Sequence, residues 1–211
     1  IIQSNGSTKV TVDGATGKVG IGTSSPAEEL DISADAPAMQ LSSTNASGRN
    51  YGLQSTNNGG FSFYDGTAGL ERMRIDSAGR VTMPYQPSFD AYVTNSSATF
   101  TSTVIIFNGI STHNIGSHYN TANGRFTVPV AGRYFFTYNA QKNGTLDTDS
   151  QTQFQKNGAK VNDSHVVHTA KANHASQSVV WQLAANDYVD VKAVTGTIKG
   201  DYTHFSGHLL G

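Results

Sequence analysis

The stretch Gly124-Arg125-Phe126-Thr127-Val128-Pro129-Val130-Ala131-Gly132-Arg133-Tyr134-Phe135-Phe136 decides the fold class. Phe126, Val128 and Val130 alternate with other residues, which places them on one face of a strand. Pro129 and Gly132 interrupt the run as turn formers do. Beyond them Tyr134, Phe136 and Tyr138 again fall on every second position. The pattern predicts two half-buried strands joined by a tight reversal, in the segment richest in apolar residues.

Working outward, residues 132–141, 151–156, 159–168, 175–184, 188–195 and 202–210 read as further strands. Asn157-Gly158 is a strong hairpin signal, and Ala185-Asn186-Asp187 is a second turn. Val179, Trp181 and Leu183 share one strand face. Short strands at regular spacing, with no long helical period, predict an all-β antiparallel sandwich over residues 84–211.

Residues 1–83 have a different texture. Val10-Thr11-Val12-Asp13 passes through Gly14 and Gly17 into Lys18-Val19-Gly20-Ile21, and Met73-Arg74-Ile75-Asp76 passes through Gly79 into Arg80-Val81-Thr82-Met83. This is one hairpin pattern used twice. Ser25 before Pro26 is a candidate N-cap for one helical turn over 24–30. Apolar residues are sparse, and folding costs roughly 1–2 kcal/mol of backbone entropy per residue. The segment is therefore expected to be a β-rich stalk that folds against identical copies.

Composition removes several function classes. The 211 residues carry a net charge of −1 with only 14% charged residues, which provides no field for nucleic acid or an anionic membrane. The chain contains no cysteine, so disulfides and thiolate metal sites are excluded. No apolar run approaches the roughly 18 residues of a membrane span. The chain opens at Ile1 with neither initiator Met nor leader, and is expected to be a piece of a longer protein.

Catalysis finds no constellation. A glycosidase needs two carboxylates about 5–10 Å apart, yet residues 84–211 contain no Glu and their Asp residues lie mostly in turns. Neither a Gly-x-Ser-x-Gly elbow nor a Gly-x-x-x-x-Gly-Lys phosphate loop occurs. The chain is not expected to be an enzyme, and no cofactor is expected.

Chain direction locates a candidate binding surface. Residue 84 enters at the base of the sandwich and each hairpin reverses direction, so loops 141–150, 169–174 and 196–201 fall together at the opposite tip. Loops on a rigid scaffold are where recognition residues concentrate. The candidates are Lys142, Asn143, Asp147, Asp149, Lys171, Asn173, His174, Lys199, Asp201 and Tyr202, with Asp187 capping a basal turn. Asp147, Asp149 and Asp201 are also candidate Ca²⁺ ligands. His165 and His168 are three apart on a strand and point to opposite faces. His204 and His208 share a face but lie roughly 13 Å apart at about 3.3 Å per residue. Neither pair chelates one ion alone. In a trimer His204 and His208 each meet their symmetry copies near the axis, where three imidazoles can hold an ion or respond to acid.

Two resemblances sharpen this picture. Val19-Gly20-Ile21-Gly22-Thr23-Ser24-Ser25-Pro26 and Arg72-Met73-Arg74-Ile75-Asp76-Ser77-Ala78-Gly79 resemble halves of a repeat in phage tail-fibre stalks. Asn114, Gly116, Tyr119, Gly124, Phe126, Pro129, Gly132, Tyr134 and Phe136, followed by Asn157-Gly158, Leu183, Asp187, Val189 and Phe205-Ser206-Gly207-His208-Leu209-Leu210, resemble the landmarks of C1q-like domains. The second resemblance implies a jelly-roll protomer that assembles as a homotrimer, with His208 at a position that is usually apolar or aromatic. Together they imply a virion fibre protein, outside the cell. Its head would bind a bacterial surface glycan or protein, and its N-terminal side would join other fibre or tail proteins. The alternative is a structural virion or surface filament capped by the C1q-like domain, and a third is a polysaccharide-degrading tailspike.

Overall fold

The computed structural model describes residues 2–4, 7–143, 149–169 and 174–211. The chain divides into two compact units, Ile1–Pro84 and Tyr85–Gly211.

The first unit contains β1 (Ile2–Ser4), β2 (Ser7–Val12), β3 (Val19–Ile21), β4 (Leu30–Ile32), β5 (Ala38–Ser42), β6 (Asn50–Ser55), β7 (Phe61–Asp65), β8 (Leu70–Ile75) and β9 (Val81–Thr82). They form two sheets, β1-β2-β3-β4 and β5-β6-β7-β8-β9. Both hairpins expected from the repeated pattern are present, β2 with β3 and β8 with β9. An aspartate builds each turn. Asp13 accepts from Ala15 N and Thr16 Oγ1 while Gly17 N returns to Asp13 O, and Asp76 accepts from Ala78 N and Arg80 N while Gly79 N returns to Asp76 O. Gly17 and Gly79 sit at φ +76° and +83°, where a side chain would be strained.

The helical turn expected over 24–30 does not form; these residues are a bent connection. β4 returns parallel to β3, and Ala27 N donates to Asp31 Oδ2 rather than to a helical carbonyl. A connection this short must carry the chain back along β3, which a coil rising about 1.5 Å per residue does poorly.

The second unit contains β10 (Ser88–Tyr92), β11 (Thr99–Phe100), β12 (Gly109–Ile115), β13 (Tyr119–Asn120), β14 (Arg125–Thr127), β15 (Gly132–Lys142), β16 (Ser150–Lys156), β17 (Ala159–His168), β18 (His174–Leu183), β19 (Tyr188–Thr195) and β20 (Ile198–Leu209). One sheet runs β12-β10-β20-β15-β18 with β11 beside β20, and the other runs β13-β14-β19-β16-β17. The all-β antiparallel sandwich is thus as expected.

The deciding stretch turns differently from its reading. β14 and β15 do not pair; they lie in opposite sheets, and residues 128–131 form a corner between them. Phe126, Val128, Tyr134 and Phe136 are buried, while Val130 is 48% exposed at the corner itself. There the Tyr134 hydroxyl donates to Val130 O at 2.8 Å, holding the corner shut. Period-two alternation shows which side chains face the core, but not which sheet each strand joins.

An aromatic cluster fills the sandwich. Phe89 stacks on Tyr119 at 4.7 Å and meets Phe205 edge-on, and Phe154 meets Tyr138 edge-on at 4.7 Å. Fully burying such a side chain is worth about 1.5–3 kcal/mol. Among the described residues, every buried apolar side chain, from Phe89 to Phe205, belongs to this second unit.

Candidate functional site

Two surfaces of the second unit gather candidate residues. The first is the end of the sandwich where β15 finishes and β16 begins. Gln141 pairs with His174, Lys142 with Ile198 and Ser150 with His168, so these chain positions meet at one end. At the other end β15 starts opposite Leu183, and Leu209 N donates to Pro87 O. There Asp187 accepts from Lys156 Nζ, Asn157 Nδ2 and Ala184 N, tying the 157–158 and 185–187 turns together.

Only some of the candidates expected at the first end are surface groups. Asn143, Asp149 and His174 are exposed. Lys142 is not: it is 4% exposed, and its Nζ has no hydrogen-bond partner among the described residues. β15 continues its alternation through Tyr138, Ala140 and Lys142, so parity directs the lysine inward. Lys199 and Asp201 lie within β20 rather than in a loop, and Tyr202 lies within the same strand. The register steps from Asn139↔His204 to Gln141↔Lys199, so residues 200–203 bulge out opposite Ala140. Tyr202 sits in this bulge at φ +51°, 66% exposed, with its ring 5.9 Å from His174 and its carbonyl accepting from Asn139 Nδ2. Asp147, Lys171 and Asn173 lie outside the described residues.

As for an ion, Lys199 Nζ holds Asp201 Oδ2 at 3.3 Å. Among the described residues no group of three metal-capable side chains occurs.

The second surface is the outer face of the six-stranded sheet. Alternation places Phe205 and Gly207 in the core and His204 and His208 outside, as the sequence indicates. His208 lies opposite Phe135, whose other neighbour is Val180, and the Phe135 and His208 rings are 5.4 Å apart. His204 stacks on Tyr92 at 5.9 Å. Between these pairs Thr137 and Ser178 are hydrogen-bonded at 2.9 Å, and Val180 is 56% exposed. Beside His208 a groove of about 420 Å³ is lined by Ser88, Asp90, His113 and Ser206.

The outer face of the five-stranded sheet is different in kind. Arg125 and Asp190 form an ion pair there, with Lys192 and Gln153 nearby on β19 and β16. One face of the sandwich is thus polar and charged, and the other carries aromatic, aliphatic, hydroxyl and imidazole groups. Asp90, Tyr92, His113, Phe135 and Val180 escaped the sequence reading, although the alternation of Ser88-Phe89-Asp90-Ala91-Tyr92 was a usable signal.

The C1q domain family model matches residues 88–210, almost the whole second unit. The chain belongs to the C1q domain family. Among relatives, mouse complement C1q tumor necrosis factor-related protein 3 is 33% identical over 103 residues, covering 48% of this chain and 41% of that protein. Human complement C1q and tumor necrosis factor-related protein 9B is 31% identical over 105 residues, covering 46% of this chain and 31% of that protein. The chain therefore spans less than half the length of these relatives. Among solved structures, the globular domain of zebrafish complement 1qA protein is 16% identical and covers 60% of this chain and 98% of its own, with a TM-score of 0.48.

The relatives overturn the fibre expectation. The relatives named above are mammalian C1q/tumour-necrosis-factor-related proteins, not phage fibres, so a virion head that attaches to a bacterial surface is not what this chain is. The stalk motif that suggested it covers about half of residues 1–83, and short apolar-Gly-turn patterns recur wherever β-hairpins are needed. In keeping with its C1q family membership, the chain is not an enzyme.

Proposed function

We propose that this chain is an extracellular, non-enzymatic C1q module that works as a homotrimer, packing the outer face of its six-stranded sheet between copies. The observation that carries the reading is the contrast between the two sandwich faces: Val180 and His208 are exposed, with Phe135 half-buried beside His208, on the face whose described residues hold no ion pair at its centre. His204 and His208 would then meet groups of a neighbouring copy. The end bearing Asn143, Asp149, His174 and Tyr202 is the proposed recognition surface for another extracellular macromolecule. The family membership and the names of the relatives support both parts.

The test is light scattering on two variants. Val180→Glu places a charge on the proposed contact and is expected to give single chains. Thr127→Glu, on the other sheet, is expected to keep the wild-type mass. Equal masses for both variants would refute the assignment of the face.

A further inference from the structure

The first unit contradicts ordinary packing: among its described residues no apolar side chain is buried. The buried side chains there are Thr11, Ser62 and Asp65, the last held by Arg49 and Arg72. The apolar residues are nonetheless arranged with care. Met39 lies opposite Leu53, Leu53 opposite Phe63 and Phe63 opposite Met73, one continuous row across four strands of the second sheet. Phe61, Ile75 and Val81 make a parallel row, and Leu41 pairs with Tyr51. Cross-strand partners share a face, so these rows form one apolar surface.

That surface is open. Leu41 is 66% exposed, Tyr51 48% and Phe63 42%, and a groove of about 280 Å³ lies among Leu41, Tyr51, Leu53 and Phe63. Next to Leu41 on β5, Gln40 faces the other way and bonds Ser42. That second face carries the Arg74–Glu71 ion pair and is suited to water. The β1–β4 sheet repeats the design, with Val10 opposite Ile21 and Val19 opposite Leu30. A single layer with one apolar face needs a second layer to be stable.

We infer that the apolar face of the β5–β9 sheet is the buried core between copies of this chain, a self-association surface separate from the C1q module. The occupant is a second copy for a reason of covalent linkage. The sheet is continuous in sequence with a module that gathers identical chains, and tethering raises the effective concentration of identical faces to the millimolar range. The charge on this face, Asp65 opposite Tyr51, is already held by Arg49 and Arg72 of the same chain, and burying the apolar rows supplies the apolar area that the isolated unit lacks. The number of copies rests on the trimer reading above.

Because the chain has no cysteine, single cysteines report on each face without background. Leu41→Cys and Phe63→Cys probe the apolar face, and Gln40→Cys probes the opposite face one residue away. One portion of each full-length variant would be labelled with a bulky maleimide, and a separate unlabelled portion would be oxidised mildly and weighed. The expected result is disulfide-linked chains from Leu41→Cys or Phe63→Cys. Their labelling should be at least about tenfold slower than that of Gln40→Cys, a protection of about 1.4 kcal/mol. A trimeric mass with equal labelling at all three positions would overturn this inference and leave the C1q reading intact. A single-chain mass with equal labelling would overturn both. Protection and cross-linking in an assembly of some other size would support the shared apolar face and refute the trimer.

Discussion

Arg125 Nε lies 3.3 Å from Asp190 Oδ2, and the aspartate side chain is fully buried while its Oδ1 meets no donor among the described residues. The guanidinium also lies over the Tyr188 ring, 4.2 Å from its centre. The charge is therefore only half compensated. Burial pushes the Asp190 carboxyl above its ordinary 3.8, against the opposing pull of Arg125 and Lys192. With the folded value raised, stability from this group is greatest below 3.8 and is lost as pH rises through the raised titration. Asp190→Asn is expected to raise the Tm at pH 7 and to flatten the pH dependence above 4, measured by thermal melts across pH. A lower Tm at pH 7 would show that the ion pair outweighs its desolvation.

Asp187 runs the other way. Lys156, then Asn157 and Ala184 N, hold its carboxyl at about 2, below the ordinary 3.8. Its contribution is present above 3.8 and fades as pH falls towards 2. Asp187→Ala should cost about 1–2 kcal/mol at pH 7, the scale of lost hydrogen bonds to a charged group near solvent. The difference from wild type should shrink as the pH is lowered from 4 to 2, as read from denaturant midpoints.

Gly207 touches the core ring of Phe136: a Cβ there would overlap the ring, with Cε1 at 2.8 Å. Phe136 is fully buried and has no room to withdraw. Gly207→Ala should cost about 1–3 kcal/mol by overpacking. Adding Phe136→Leu should cost less in this background than in wild type, a coupling that a double-mutant cycle measures.

Lys142 gives a sharper test of what the sequence suggested. A buried ammonium that meets no partner among the described residues is expensive, so Lys142→Met should stabilise the protein by about 1–3 kcal/mol. A loss of stability on chemical unfolding would mean that the ammonium is satisfied in solution.

The sandwich was legible because Tyr134, Phe136 and Tyr138 alternate on a long strand and Asn157-Gly158 marks the hairpin turn between β16 and β17 of the opposite sheet. The hairpin turns of the first unit were legible because Asp13 and Asp76 each pair with a glycine that accepts positive φ. Two features hid from the same reasoning. The corner at 128–131 depends on which sheet each strand joins, a long-range choice that local alternation does not encode. The bulge at 200–203 breaks alternation within one strand, so Lys199 and Asp201 read as a loop and Tyr202 as the start of the strand. Lys142 was misplaced for a simpler reason: its charge outweighed a parity count that, extended two residues past Ala140, already pointed it inward. The uncovered face of the β5–β9 sheet was foreshadowed by sparse apolar residues, but its rows appear only once Leu53 and Phe63 are seen opposite each other.

Native mass spectrometry of the full chain at micromolar concentration tests the central claim most directly. The account predicts a dominant species of three times the 22.4 kDa chain mass. A folded species of one chain mass at that concentration would contradict it.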